Sequence, residues 1–321
     1  MVWIYLIFAA ILFTIWVTMY VYFQCFHSPT DRKEDPYTLI EGEQYDALSG
    51  AITECTRVMD CASCEHLFAS SCDGLCLHAR YYHTKDSAPT VIVMHGYKGN
   101  ALRDGAGGFA LSRRLGFNVL VPDQRGHAQS QGRVITFGIM ERLDCLQWIQ
   151  YLNQRFGSDR PILLSGISMG AATILMAAEL DLPENVIGIM ADCPYDSPAG
   201  IICKVCKDRG FPSKAMLPFI KLAAKLFGGF HLTDTSAIES VKSAKIPILL
   251  IHGDDDRFVP CNMSRQIAHN CASPVTLEIF PDAGHGLCYM TDPDRYEAVT
   301  YNFLKSLPQL SPYLPKEIFD N

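Results

Sequence analysis

Three short stretches of this chain hold side chains that together could perform nucleophilic catalysis. Ser168 lies at the centre of a Gly-x-Ser-x-Gly sequence, three carboxylates follow one another at Asp254, Asp255 and Asp256, and His285 stands between two glycines. A serine hydroxyl becomes a good nucleophile when a base removes its proton, and the base needs a third group to orient it. A serine, an aspartate and a histidine together therefore suit an acyl-transfer site.

The elements that flank Ser168 would position it. Residues 162–164 form a short apolar run, typical of a buried strand, and residues 171–177 favour a helix. A turn this tight has no room for side chains beside its tip, so glycines two residues before and two after the serine are expected. The tip would lie at a helix N-terminus, where backbone N–H groups point outward. The alternative is an ordinary strand–helix turn without catalytic function.

The candidate acids and base also follow predicted strands. Residues 246–251 directly precede the acidic run, and residues 275–280 precede His285. Position alone leaves Asp254, Asp255 and Asp256 as competing acids, or the run as a plain acidic turn. Asp282 is a poor acid, since it stands only three residues before His285. The remaining histidines near these motifs, His95, His127 and His252, are interpreted as structural, His127 in a turn with Asp123 and Arg125.

Apolar strands alternate with helices along most of the chain. Further strands are predicted at 75–82, 90–95, 118–122 and 186–191, and helices at 45–58, 100–115, 141–156, 264–270 and 293–307. This alternation predicts an α/β fold with a mostly parallel sheet flanked by helices. Residues 194–244 interrupt it and are expected to form a helical lid after the sixth strand. Residues 28–72 are predicted to be a linker and N-terminal extension, and 73–321 the main domain.

Five motifs together resemble the α/β-hydrolase superfamily, close to its membrane-anchored esterase and serine-aminopeptidase-like branch. They are His95-Gly-Tyr97, Asp123-x-Arg-Gly-His127, Gly166-x-Ser168-x-Gly170, His252-Gly-x-x-Asp256 and Gly284-His285-Gly286, and the resemblance covers about Asp73 to Leu307. One departure is Ala128, where the family commonly has glycine; it affects a loop outside the triad.

The resemblance implies a role for each site residue. Ser168 would be the nucleophile, His285 the general base and then acid, and Asp256 the residue that orients the imidazolium. The backbone N–H groups of Tyr97 and Met169 would form the oxyanion hole. The expected reaction is hydrolysis of an ester, thioester or related acyl bond by a serine hydrolase, with no cofactor and no metal. The alternatives are a serine peptidase or aminopeptidase-like hydrolase, and a catalytically silent, membrane-anchored interaction protein.

The first 27 residues are expected to be an uncleaved membrane anchor. Residues 2–23 carry no charge and include aromatic residues near both ends. As a helix they would be about 33 Å long, enough for a bilayer core. A cleaved signal peptide would have a basic start and a small-residue cleavage site, which this segment lacks. Arg32 and Lys33 follow the span, so the positive-inside rule and the cysteine content place the catalytic domain in the cytosol. On this interpretation, a chain without residues 1–27 should fold and remain active.

The composition limits the other classes. A net charge of -7 argues against general nucleic-acid binding. Among 13 cysteines, the pairs Cys61/Cys64, Cys72/Cys76 and Cys203/Cys206 suggest zinc, but no paired histidines accompany them, so reduced thiols are expected instead. The N-glycosylation sequon Asn262-Met-Ser264 is attributed to chance.

Basic and apolar residues are interleaved in the predicted lid. Six cations lie between residues 201 and 230: Lys204, Lys207, Arg209, Lys214, Lys221 and Lys225. Such a segment suits an anionic membrane surface, although an ordinary lid helix with solvated lysines would have the same pattern. With the anchor, it suggests a small-molecule, lipid or acylated substrate. The sequence gives no oligomeric state.

Overall fold

The computed structural model describes residues 1–29 and 35–314. Arg32 and Lys33, on which the predicted orientation of the anchor depends, lie outside the described residues. The strands are β1 (Glu65–Ser70), β2 (Cys76–Tyr82), β3 (Thr90–Met94), β4 (Asn118–Asp123), β5 (Ile162–Ile167), β6 (Val186–Asp192), β7 (Ile248–Gly253) and β8 (Val275–Phe280). They form one eight-stranded sheet in the order β1-β2-β4-β3-β5-β6-β7-β8.

Helices cover both faces of this sheet. They are α1 (Val2–Cys25), α2 (Glu43–Asp46), α3 (Ser49–Asp60), α4 (Ala101–Arg114), α5 (Glu141–Phe156), α6 (Met169–Ala177), α7 (Pro198–Asp208), α8 (Ser213–Leu226), α9 (Ala237–Ser240), α10 (Asn262–Asn270), α11 (Cys288–Thr291) and α12 (Pro293–Lys305). Strands β3 to β8 are parallel, whereas β2 is antiparallel to its neighbours β1 and β4. The fold is the predicted α/β-hydrolase fold.

The first strand begins earlier than the sequence suggested. Strand β1 starts at Glu65, eight residues before the expected boundary at Asp73, and pairs along its whole length with β2. Only Leu67 of this edge strand is buried, whereas His66 and Phe68 are exposed. A strand with one buried side chain gives little alternation of apolar and polar residues, which is why the sequence pattern missed it.

The parallel strands bring the ends of distant segments together. The carboxyl ends of β5, β7 and β8 lie at one edge of the sheet, and Ser168, Asp256 and His285 follow these strands in turn. Between β6 and β7 the chain forms α7, α8 and α9, so the segment predicted as a lid is helical. Parallel topology thus explains how residues 117 positions apart reach one site.

Helix α1 is long and apolar, but one side of it packs on the domain. Among the described residues it is one candidate membrane-spanning helix by length and composition, a test that a signal sequence also passes. Residues 1–13 are exposed on all sides, whereas Thr18 and Val21 are buried. Val17, Tyr22 and Cys25 also pack against the main core, so the second half of α1 is attached to the domain along one stripe.

The chain just after α1 belongs to the hydrophobic core. Phe26 is fully buried, and its ring packs edge-on against Phe137 at 5.8 Å and Phe230 at 5.3 Å. The Phe26 carbonyl accepts a hydrogen bond from the Ile135 amide at 2.8 Å. The boundary predicted at residue 27 therefore passes through a packed core region, and the expectation that the chain folds normally without residues 1–27 has to be revised.

We expect two truncations to differ in stability. Deleting residues 1–27 removes the buried Phe26 ring, a loss that costs about 3–5 kcal/mol in other cores, whereas deleting residues 1–13 removes only exposed side chains. Thermal unfolding of both proteins in the same mild detergent measures this. The shorter deletion should keep the melting temperature of the full chain; equal melting temperatures for all three proteins would show that Phe26 is dispensable.

Candidate active site

Ser168 occupies a strained turn between β5 and α6. Its φ of 55° lies in the left-handed region, where residues other than glycine are uncommon. A Cβ on Gly170 would come within 2.1 Å of the Met94 carbonyl oxygen, and one on Gly166 within 2.5 Å of the Gly170 carbonyl carbon. Both glycines are therefore required by close backbone approach, as the sequence predicted for the two positions beside the tip.

The three predicted triad side chains form a continuous hydrogen-bonded chain. His285 Nε2 lies 2.8 Å from Ser168 Oγ, and His285 Nδ1 lies 2.7 Å from Asp256 Oδ2. With these partners, Nδ1 carries the proton and donates to the carboxylate, while Nε2 accepts from the serine hydroxyl. This arrangement can move a proton from the hydroxyl to the imidazole and stabilise the resulting imidazolium.

Asp256 is held as a carboxylate by several donors. Burial alone would raise its pKa, but hydrogen bonds with His252 and His285 outweigh burial and hold the pKa well below its usual range. The backbone N–H groups of Phe258 and Val259 also donate to its other oxygen, at 2.9 and 2.7 Å. The group facing His285 is therefore negatively charged at neutral pH.

The neighbouring carboxylates point elsewhere. Asp254 accepts from the Asp282 backbone N–H at 2.8 Å. Asp255 accepts from Gln44 Nε2 at 2.6 Å and pairs with exposed Arg257. Among the three acids of the run, the structure thus brings Asp256 alone to within hydrogen-bond distance of His285 Nδ1.

The loop after β3 lies against the serine. A Cβ on Gly96 would be 3.6 Å from Ser168 Cβ, so the backbone of this loop passes beside the hydroxyl. Tyr97 follows directly, and Met169 is the first residue of α6, where a helical N–H has no partner within its own helix. The predicted oxyanion residues are therefore the neighbours of Gly96 and of Ser168 in the chain, and their role stays a prediction.

The other histidines have structural partners. His95 Nε2 accepts from the Gln124 amide at 3.0 Å, and His127 Nδ1 donates to the Arg125 carbonyl at 3.0 Å. His252 differs from its interpretation as a plain loop residue, because its Nε2 also lies 3.1 Å from Asp256 Oδ2. It contacts the same carboxylate oxygen as His285, a role that a single histidine before glycine does not indicate in sequence.

Asp123 and Arg125 belong to separate ion pairs. Asp123 accepts from buried His78 Nδ1 at 2.6 Å, whereas Arg125 pairs with Asp144 at 2.6 Å and with Asp73 at 2.9 Å. The predicted turn with His127 is therefore held by residues from β2, from α5 and from the turn before β2, and Asp123 also accepts a hydrogen bond from the Gln129 backbone N–H at 3.3 Å.

The cysteine pairs do not assemble a metal centre among residues 1–29 and 35–314. All 13 cysteines are free thiols. The one close group of metal-ligating atoms found there joins Cys193, Asp256 and His285, within 4.8 Å of one another. Burial raises the pKa of Cys193 well above its usual value, so this thiol is neutral beside the triad.

A cavity of about 670 Å³ opens beside Ser168 and His285. Part of its wall comes from the segment that the sequence assigned to a linker and extension: Ile40, Glu41, Gln44, Tyr45 and Ile52. The Tyr45 hydroxyl donates to the His285 carbonyl at 2.8 Å. The N-terminal extension is thus a component of the site. Neither the polarity of its residues nor their spacing in the sequence indicated this role.

Asp192, at the end of β6, is buried in the wall of the same cavity. Its Oδ1 has no hydrogen-bond partner within the described part of the chain. Burial raises its pKa to about 6, although the nearby histidines His252 and His285 oppose the shift. A carboxyl whose folded pKa exceeds its unfolded value destabilises the fold once it ionises, so stability should fall as pH rises from about 4 to above 6.

Asp192→Asn should remove that dependence. A shift of about two pKa units corresponds to roughly 3 kcal/mol, so relative to the native chain the variant should gain up to that amount between pH 4 and pH 8. Chemical unfolding at the two pH values measures the difference. Asp86→Asn is the control, because that side chain is 92% exposed. An Asp192 variant that follows the native pH dependence would mean that the carboxyl is not penalised by burial.

Comparison with known proteins supports the same class. A model of the alpha/beta hydrolase fold matches residues 89–230, and a model of the dienelactone hydrolase family matches residues 213–303. A Pyrococcus furiosus esterase, Pf2001, has a similar structure with a TM-score of 0.62 and 22% identity, covering 78% of this chain and 95% of that one. These matches support the α/β-hydrolase superfamily, and the structural likeness shows the α/β-hydrolase fold.

Two relatives show how far the likeness extends. The Bacillus subtilis protein YqkD is 27% identical over 229 residues, which are 70% of this chain and 75% of that protein. The human protein ABHD12B is 26% identical over 222 residues, 61% of this chain and 55% of that protein. Both matches extend over more than half of this chain.

Proposed function

We propose that this protein is a membrane-anchored serine hydrolase that cleaves a carboxylic ester, thioester or related acyl bond. The observation that carries the proposal is the hydrogen-bonded chain from Ser168 Oγ through His285 to Asp256, with its two distances of 2.8 and 2.7 Å. A nucleophile, a base and an ionised orienting group stand in the order that acyl transfer requires.

The reaction would proceed through an acyl-enzyme. Ser168 Oγ attacks the acyl carbon while its proton passes to His285 Nε2, and the carbonyl oxygen becomes an oxyanion that the Tyr97 and Met169 N–H groups stabilise. The tetrahedral intermediate collapses, and the leaving alcohol or thiol takes the proton from His285. Water then attacks the acyl-enzyme with His285 again as base, which releases the acid and restores Ser168.

The anchor is the second part of the proposal. Helix α1 is an uncleaved span that holds the domain at a membrane, and residues 194–244 form the lid of the site. The hydropathy of α1 and its exposed first half support this interpretation. A lipid or an acylated protein at the membrane would then be the substrate.

A substrate panel tests the reaction class. Full-length protein in detergent should hydrolyse small esters, and the panel should vary the acyl length and compare ester, thioester and aminoacyl leaving groups. A preference for aminoacyl groups would favour the peptidase-like alternative. Turnover of no member of the panel would favour the silent interaction protein. A chelator arm belongs in the same assay, because loss of activity that zinc restores would revive the metal hypothesis.

A further inference from the structure

The solvent-facing side of α8 combines a basic stripe with exposed apolar residues. Lys214, Lys221 and Lys225 are exposed and recur at a spacing of seven and four residues, which places them on one side of the helix. At its carboxyl end, Leu226 and Phe227 are 61% and 40% exposed. Large exposed apolar side chains beside cations are typical of helices that lie in a lipid–water interface. We call Leu226 and Phe227 together the apolar end of α8.

Contact with α1 places this apolar end at a defined depth. The Phe227 ring centre lies 5.7 Å from that of Tyr22, which is in the last turn of α1. The part of α1 exposed on all sides, residues 1–13, is about 20 Å long, whereas a bilayer hydrocarbon core is about 30 Å thick. A spanning α1 must therefore also bring residues beyond 13 into the membrane, and these are the residues that pack on the domain. The apolar end then reaches the membrane boundary together with Tyr22.

Part of the cavity wall lies against the same end of α1. The Tyr97 hydroxyl donates to the Cys25 carbonyl at 2.8 Å, and Lys98 Nζ donates to the Gln24 carbonyl at 3.3 Å, so two cavity-lining residues contact the carboxyl end of α1. Lys204, also in the cavity wall, comes from α7, the helix that precedes α8 in the insert. The wall of the cavity therefore contacts the anchor and includes part of the insert.

From these contacts we propose that α8 is an interfacial helix and that the cavity takes its substrate directly from the bilayer. The lysine stripe would lie among anionic headgroups, and the apolar end would enter the outer part of the hydrocarbon region. The substrate class is then an acyl ester or thioester that is itself embedded in the membrane, whose acyl group reaches Ser168 without crossing water. This inference rests on the proposed membrane-anchored hydrolase and adds the route by which the substrate arrives.

Fluorescence quenching by brominated lipids tests the surface without any need for catalysis. The reporter is Phe227→Trp in full-length protein that also carries Trp3→Phe and Trp16→Phe; Trp148 is buried in the core. The control reporter is Val58→Trp, since Val58 is similarly exposed, at 47%, on α3, whose Met59 packs in the core cluster that does not include α1. In vesicles containing anionic lipid, the reporter at 227 should be quenched strongly and the reporter at 58 little.

Two outcomes would overturn the inference. Quenching of native Trp3 and Trp16 without quenching at position 227 would mean that α1 inserts while α8 stays in water. Absence of quenching at all of these positions would mean that α1 does not insert, which removes the basis of the inference. Strong quenching at position 227 in a protein that hydrolyses no ester would support membrane contact by α8 and contradict only the proposed function.

A functional comparison tests the delivery route. Leu226→Asp combined with Phe227→Asp should lower hydrolysis of a vesicle-embedded ester by about tenfold, because a charged end no longer enters the interface. Hydrolysis of a soluble short-chain ester should stay within about twofold, and Val58→Asp should change neither rate. Equal loss on both substrates in the double variant would show damage to the fold or the site, and no loss on either would show that substrate does not arrive through this surface.

Discussion

Replacing Ser168 with alanine should lower kcat for any ester substrate by at least about 10^4-fold. The variant keeps the backbone of the turn but has no oxygen to attack the acyl carbon or to donate to His285 Nε2, 2.8 Å away. Any remaining rate would come from attack of water on the acyl carbon, with the oxyanion donors stabilising the negative charge on the carbonyl oxygen. Steady-state kinetics on a chromogenic ester, together with the circular dichroism spectrum and melting temperature, measures the loss against an intact fold.

Ser112→Ala is the matched control for this deletion. Ser112 is also buried, and its hydroxyl donates to the Gly108 carbonyl within α4. Ser112→Ala should keep the native kcat, because Ser112 lies outside the hydrogen-bonded chain of Ser168, His285 and Asp256. A Ser168 variant that retains substantial activity would show that another group is the nucleophile.

Replacing Asp256 with asparagine should lower kcat by on the order of 10^4. The carboxylate accepts the proton of His285 Nδ1 at 2.7 Å, whereas an amide nitrogen at that position would donate and favour the wrong tautomer. His285 Nε2 would then carry a proton and could not accept one from Ser168. The pH–rate profile separates this effect from a structural one, since a rise in activity at high pH would report serine ionisation without the base.

The neighbouring acids provide the controls for Asp256. Asp254→Asn and Asp255→Asn should each change kcat by less than about tenfold, because these side chains bond to the Asp282 backbone and to Gln44 rather than to the imidazole. A large loss of kcat in Asp255→Asn with a small loss in Asp256→Asn would show that Asp255, and not Asp256, orients His285.

Much of this architecture could be predicted because its signals are local. The apolar runs of β3 and β4 and the glycines around Ser168 each reflect a physical requirement that short stretches can express: burial on both faces of a sheet, and close backbone approach in a turn. The chain order of the three candidate site residues then follows from the parallel topology.

What the sequence missed depends on long-range packing. Tyr45 reaches the His285 carbonyl across 240 residues of sequence. His252 is only four residues from Asp256, but their contact depends on the conformation of the turn after β7, which the sequence pattern does not specify. In the sequence, Phe26 resembles the other aromatic residues at the end of the apolar segment, yet it is fully buried in the domain. No periodicity within a short window distinguishes these residues from solvent-exposed ones.

The position of a covalent adduct shows directly whether Ser168 is the nucleophile. Full-length protein is treated with a fluorophosphonate, which reacts with an activated serine, and the modified peptide is located by mass spectrometry. We expect one adduct per chain, on Ser168, formed much faster than in Asp256→Asn and absent from Ser168→Ala. An adduct on another residue, or no adduct in a folded full-length protein, would contradict the assignment of Ser168 as the nucleophile.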